Sequence, residues 1–333
     1  MGMSESTATG GTIGEASERE ALRRIFPRLP GSAATLVGPG DDAAVLAAPD
    51  GRYVVTTDMM VHGPDFRLAW SSPEDLGWKA AATNLSDVAA MGAVPTALVV
   101  AIAAPTTMAV ADLEAIADGL RLACEALAPG CGVVGGDLSV SETLTFAVTA
   151  FGDLQGRPPV LRSGARPGDV VAVSGTLGAA ADGLRLLFSE AVDGQGVPSR
   201  ERFHAVAAEH PEAVMAQLRP RPPILDGPRA AEAGATAMLD LSDGLALDAR
   251  RVAEASGVAI DLDPTLLGGA PRAALTGGED HSLFAAFPPD AVLPGGFRRI
   301  GTVREGAGLL VAGRPFDERG GWDPYLEWDG AAG

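Results

Sequence analysis

The run from Val88 to Ala111 carries no charge, and it constrains the fold more than any other stretch of the chain. Pro95 and Pro105 interrupt it and leave Thr96-Ala97-Leu98-Val99-Val100-Ala101-Ile102-Ala103-Ala104 between them. That segment is too short to cross a bilayer, whose core asks for about 20 apolar residues in a helix. It reads as a buried strand. The preceding segment reads as a helix from Pro73 to Met91, with Pro at its start, Glu74 and Asp75 in the first turn and Gly92 just past the end. The following one, Asp112 to Leu127, has the spacing of an amphipathic helix.

The same alternation runs along the whole chain. Glu15 to Phe26 predicts a helix stopped by Pro27, and residues 1–14 read as a mobile tail. Asp41 to Leu46 predicts a short strand entered from the Gly38-Pro39-Gly40 turn. Tyr53 to Thr57 predicts a strand closed by Asp58, and Glu142 to Gly152 another. In the second half, strands are predicted at 169–174, 237–241 and 258–262, and helices up to Phe188, over 201–218 and over 245–256. No repeat of 20–50 residues is present. Strands alternating with helices in both halves indicate an α/β (α+β) protein. At about 150 residues per domain, 333 residues predict two domains. The turn-rich stretch Gly152–Gly168 divides them, as 1–155 and 156–333.

Composition excludes several classes of function. Lys plus Arg number 25 and Asp plus Glu 43, a net charge of −18, which argues against a nucleic-acid or anionic-membrane binder. An anionic substrate would need a cation in between. Lys79 is the only lysine, and it follows Trp78, so the chain has no GK[ST] phosphate loop. GxSxG, HExxH and CxxC are absent, so a hydrolase elbow and a zinc site are unsupported. Cys124 and Cys131 read as small core residues in a reducing compartment, and no signal peptide is visible, so the expected location is the cytoplasm.

The aspartates stand out by position. Asp41, Asp42, Asp58, Asp87, Asp137, Asp240 and Asp243 fall at the expected ends of elements or beside glycine. Singly, each is an ordinary cap or turn former. As a group they would repel by about 4 kcal/mol per pair at roughly 4 Å and an effective dielectric near 20. A hard cation relieves that repulsion, and oxygen donors without His or Cys favour Mg²⁺, which binds few carboxylates together with waters and phosphates. Gly130-Cys131-Gly132-Val133-Val134-Gly135 spells GxGxxG but leads from a helix into a strand, the reverse of a dinucleotide site, and reads as a helix stop. Gly175-Thr176-Leu177-Gly178 does follow a strand and open a helix, so it is either a tight turn or an anion site. Arg162 is a candidate phosphate clamp, and Trp322 either packs or serves as a ligand platform.

In chain order, seven motifs resemble those of the thiamine-monophosphate kinase family. They are Gly40-Asp41-Asp42-Ala43-Ala44-Val45, Thr56-Thr57-Asp58, Asn84 to Gly92 (NLSDVAAMG), Gly135-Gly136-Asp137, Leu161-Arg162-Ser163-Gly164-Ala165, Asp240 to Leu245 (DLSDGL) and Gly277-Gly278-Glu279-Asp280. The resemblance implies phosphoryl transfer from ATP to thiamine monophosphate, with several Mg²⁺ ions. It also implies a superfamily that includes aminoimidazole ribonucleotide synthetase and selenophosphate synthetase. Its members are homodimers whose N-terminal domains close a β-barrel between subunits. By the same resemblance, Asp42, Thr56, Thr57, Asp58, Asp87, Asp137, Asp240 and Asp243 are metal ligands. Gly136, Asp137, Arg162 and Ser242 contact ATP, and Asp65, Glu279 and Trp322 face the thiamine moiety. Asp87, Asp137 and Arg162 carry the catalysis. The chain departs from the family pattern at Asp65, Asp118 and His281, the last two standing where aromatics are usual. The alternatives are another ATP-using enzyme of the superfamily, or a non-catalytic paralogue that binds nucleotide or cation.

Overall fold

The structure is a computed structural model and describes residues 11–12, 15, 18–37 and 44–321. Asp41, Asp42 and Trp322 lie outside the described residues, as do the turn at 38–40 and most of the expected N-terminal tail.

The chain begins with α1 (Glu18–Ile25) and a small hairpin, β1 (Thr35–Val37) with β2 (Val45–Leu46). There follow β3 (Val54–Val61), α2 (Pro73–Ala90), β4 (Val94–Ala104), α3 (Val110–Leu127), β5 (Gly132–Val140) and β6 (Thr145–Asp153). The four strands form one sheet in the order β3-β6-β4-β5, in which only β4 and β5 run parallel. Helices α2 and α3 cover one face. Phe146, Val148 and Ala150 of β6 and Leu98 and Val100 of β4 point into the core beneath them, with Leu85, Val88, Leu113 and Ile116. The opposite face is open: Val55 is 59% exposed and Met59 61%.

Local sequence explains why α2 sits so deep. Ser72 and Asp75 make a reciprocal capping box at its N-terminus, and Pro73 occupies the first turn, where its missing N–H costs nothing. Gly77 and Gly119 let α2 and α3 touch backbone to backbone. A Cβ at Gly77 would stand 2.0 Å from the Ile116 carbonyl oxygen, and one at Gly119 2.1 Å from that of Glu74.

The second half contributes β7 (Val170–Ser174), α4 (Ala179–Glu190), α5 (Arg200–Glu209), α6 (Pro211–Leu218), α7 (Asp226–Glu232) and β8 (Ala237–Leu241). It continues with α8 (Leu245–Ser256), β9 (Ala259–Leu262), α9 (Pro271–Thr276), β10 (Ser282–Phe287), β11 (Arg298–Arg304), β12 (Gly308–Val311) and β13 (Arg314–Pro315). These strands form a seven-stranded sheet in the order β13-β12-β9-β11-β7-β10-β8. Along β7, β10 and β8 it is covered on both faces, whereas β11 and β13 keep exposed residues and β12 partly exposed ones. Phe284, Val171, Val173 and Leu239 pack under α8 and α9, while Leu283, Phe287, Ala172 and Met238 pack on the other side with Phe297 and Ala230.

Several expected boundaries shift. Asp58 does not close its strand and Asp137 does not follow one: both lie inside strands, at the two edges of the four-stranded sheet. An edge strand exposes a side, so a carboxylate is tolerated there. The helix expected over 201–218 is two helices, because Pro211 starts a new one and holds His210 out of helical geometry (φ −126°, ψ 54°). No helix among the described residues is long and apolar enough to cross a membrane.

Candidate active site

Side-chain alternation along β3 sends Thr56 and Asp58 toward α2, in register with the core residues Ala150 and Val148 of β6. Thr56 donates from its hydroxyl to Asp87 Oδ2 at 2.9 Å, and the Asp58 N–H donates to Asn84 Oδ1 at 3.2 Å. Asn84 and Asp87 both belong to α2. One turn of that helix thus faces an edge strand on one side and the second half of the chain on the other.

From that second half, β8 delivers Asp240. Its Oδ2 lies 3.1 Å from the Ser86 hydroxyl of α2 and 3.2 Å from His281 Nδ1, which must carry the proton to donate. Glu279 (φ 66°) and His281 (φ 50°) occupy the left-handed region, sparsely populated by residues other than glycine, and such strain concentrates at functional sites. Just beyond β8, Asp243 pairs with Arg251 of α8 at 2.7 Å. Asp248 accepts the Asp243 and Gly244 N–H groups at 3.1 Å each, which fixes the turn that carries Asp243.

The acids perturb one another. Burial pushes the Asp87 carboxyl up to about 7, and the neighbouring charges of Asp240 and Asp58 add to it. Burial also raises Asp58, reinforced by Asp240 and Asp243. Burial works against the charge on Asp240 as well, but His281, the Ser86 hydroxyl and the positive charge of Arg162 outweigh it and hold that carboxyl below its ordinary value. Asp65 accepts the Val61 N–H at 2.7 Å, yet burial and the charges of Glu279 and Asp58 raise it. Thr56, Asp58, Asp87, Asp240 and Asp243, with Asp65, Glu279 and Arg162, therefore share one electrostatic neighbourhood between the two sheets.

Other expected site residues stand apart. Thr57 faces the open side of the four-stranded sheet, where its hydroxyl donates to the Val148 carbonyl and receives that of Thr149. Gly136 and Asp137 lie on β5, at the opposite edge from β3, and alternation puts Asp137 on the face away from Leu138 and the helices. Three intervening strand spacings of roughly 4.8 Å separate them from Asp58. Ser242 abuts Glu279, whose N–H donates to its carbonyl at 2.7 Å. Asp118 is tied to Arg28 at 2.5 Å, in the segment after α1.

The turn at Gly175–Gly178 already meets an anion of the chain's own. Asp280 accepts the Gly178, Ala179 and Ala180 N–H groups and the Thr176 hydroxyl. The GxGxxG stretch is a helix stop, with Gly130 at φ 95° and β5 starting at Gly132. The residues the sequence reading passed over are Ser86, Lys79, Gln217 and Arg251. Lys79 carried a signal as the sole lysine and Ser86 as a member of the NLSDVAAMG motif, whereas Gln217 and Arg251 carried none.

Residues 40–154 match the family model described as AIR synthase related protein, N-terminal domain. A thiamine-monophosphate kinase of Mycobacterium tuberculosis (strain ATCC 25618 / H37Rv) is 43% identical over 335 residues, covering 96% of this chain and 94% of that protein. The chain belongs to the thiamine-monophosphate kinase family. The crystal structure of thiamine-monophosphate kinase from Stenotrophomonas maltophilia K279a superposes with a TM-score of 0.73 at 32% identity, over 88% of this chain and 96% of that one. A structure of AaThiL complexed with AMPPCP and TMP gives a TM-score of 0.68 at 29% identity, over 95% and 99%.

For a thiamine-monophosphate kinase the donor set is informative. Among the described residues no three acidic, His or Cys side chains stand close enough to enclose a metal ion by themselves. Burial and the neighbouring acids raise Asp58 and Asp87, so a cation among them would favour their ionised, ligating form. Sparse oxygen donors of this kind fit Mg²⁺, which retains waters and takes further oxygens from substrate phosphates.

Proposed function

We propose that this chain transfers the terminal phosphoryl group of ATP to thiamine monophosphate, giving thiamine diphosphate. Family membership supports the reaction. The observation that carries its location is the meeting of Asp58, Asp87 and Asp240 between the two sheets, with Arg162 in electrostatic reach. The acceptor is already an anionic phosphate oxygen, so transfer in line needs no strong general base. Cys124 and Cys131 are buried, and the Ser86 hydroxyl, though 3.4 Å from His281 Nδ1, is engaged by the Thr83 carbonyl and Asp240, so direct transfer is the simpler route. The work left to the protein is positioning and charge neutralisation.

Bound Mg²⁺ would supply the positive charge that neutralises phosphate oxygens. Asp58, Asp87, Asp240 and Asp243 with Thr56 would hold several such ions, together with Asp42, Thr57 and Asp137. Arg162 would neutralise charge on the transferred group, Gly136 and Ser242 would approach the nucleotide, and Asp65, Glu279 and Trp322 would face the thiamine cation. The two domains, 1–155 and 156–333, would contribute complementary halves of the site.

We further propose a cytoplasmic homodimer. The open face of the four-stranded sheet carries Val55, Met59, Thr57 and Asp137, and a second copy seated there would cover the exposed apolar residues. It would also give Thr57 and Asp137 a route to a site that they do not reach within one chain. The deciding experiment is a coupled assay of ADP release. Release that requires both thiamine monophosphate and Mg²⁺ is expected, and ATP binding without thiamine-dependent turnover would instead indicate a non-catalytic paralogue.

A further inference from the structure

We propose that Lys79 and Gln217 are positioning residues that set the Glu279 carboxylate for recognition of the cationic half of thiamine monophosphate. The inference rests on the kinase reading above and deepens it. Lys79 is the only lysine in the chain, and it is buried on α2. A buried lysine is rare unless paired. Its Nζ lies 3.2 Å from Glu279 Oε2. The Gln217 amide, buried on α6, donates to that same oxygen. Glu279 Oε1 carries no such bond among the described residues, and the side chain is 33% exposed. One carboxylate oxygen therefore accepts both donors, while the other is left without one in a side chain that is partly exposed.

The donors come from separate elements. Lys79 belongs to the helix that also carries Asn84 and Asp87, and Gln217 to the helix layer over the second half. Together they fix a residue whose backbone is already strained at φ 66°. Gln217 has a single sensible orientation, since the reverse would turn its carbonyl oxygen toward the carboxylate. Charge points the same way. Asp65 and Glu279 lie near one lysine: Asp65 feels Glu279, Lys79 and Asp58, and Glu279 feels Lys79 and His281. A carboxylate oxygen left without a donor there can face a thiazolium cation. Without the ammonium the two carboxylates would repel, and Glu279 would lose the geometry it presents.

The test separates this role from a merely structural tie between domains. Lys79→Met is expected to raise KM for thiamine monophosphate about ten-fold, with KM for ATP changed less than about two-fold. Lys79→Arg should recover most of the loss. In a Glu279→Gln background the Lys79→Met effect should shrink below about two-fold, because a residue acting through Glu279 has nothing left to position. Should Lys79→Met fail to fold, Gln217→Met removes the second donor and is read the same way. Equal KM shifts for both substrates, or full additivity with Glu279→Gln, would overturn the assignment while leaving the kinase reading intact. A wild-type chain that neither binds nor phosphorylates thiamine monophosphate would remove the kinase reading, and this one with it.

Discussion

The two sheets solve the same burial problem differently. The seven-stranded sheet is sealed on both faces along β7, β10 and β8, and every residue of β8 and β10 is buried. The four-stranded sheet is sealed on one face only, by α2 and α3, and offers Val55 and Met59 to whatever lies beyond. The sealed sheet is self-sufficient, whereas the half-covered one is stable here but chemically unfinished. Its open face and far edge hold Thr57 and Asp137, two residues expected in the site. Carboxylates are placed accordingly. Asp240, on a strand buried along its whole length, has Ser86 and His281 on its Oδ2 and is held below its ordinary value, while Asp58, on a half-covered strand, is raised by burial and by the acids around it.

That contrast can be broken by experiment. The largest effect is expected at Asp87→Asn, where turnover should fall about 10³-fold at saturating Mg²⁺ with the circular-dichroism spectrum unchanged. Turnover near wild type would detach the acids from the chemistry. Next is Phe284→Ala in the sealed sheet, expected to cost about 3–5 kcal/mol in urea denaturation, as for a large ring removed from a core. A cost below about 1 kcal/mol would mean that this sheet is not tightly packed.

A smaller effect concerns pH. Asp87 holds its proton in the folded chain up to about 7, whereas an unfolded aspartate releases it near 3.8. Between those values the folded state binds more protons, so stability without metal should fall as pH rises from about 4 to 7. Thermal melts should show that slope flattening when Mg²⁺ is added, and a slope indifferent to Mg²⁺ would remove the cation from this carboxylate. The smallest intramolecular effect is expected at Met59→Lys on the open face. It should change monomer stability by less than about 0.5 kcal/mol but abolish self-association in sedimentation velocity. An unchanged oligomer would leave that face without a second copy.

Punctuated segments were the most legible in the sequence. Helix α2 announced both ends, through Pro73, Glu74 and Asp75 at one and Gly92 at the other, and α8 runs over the expected Leu245–Ser256. Strand interiors with an acid were not legible: Asp58 and Asp137 resembled terminators, because only tertiary structure reveals which strands become edges. Local patterning named the acids that meet but could not show that Thr57 and Asp137 turn away from them. The partners that complete the site were invisible for a simpler reason. Lys79, Gln217 and Glu279 are joined by packing across the chain, and no spacing encodes such a contact.

Asp280 has a mechanical consequence. By gripping the first amides of α4, it welds the strained loop to that helix, and α4 in turn presses on α6 so closely that a Cβ at Gly183 would stand 2.0 Å from the Ala213 carbonyl oxygen. Since α6 carries Gln217, which returns to Glu279, the circuit closes into a braced triangle. A small molecule arriving at that corner meets a stiff frame, and selection there works by rejecting shapes that do not fit rather than by yielding to them.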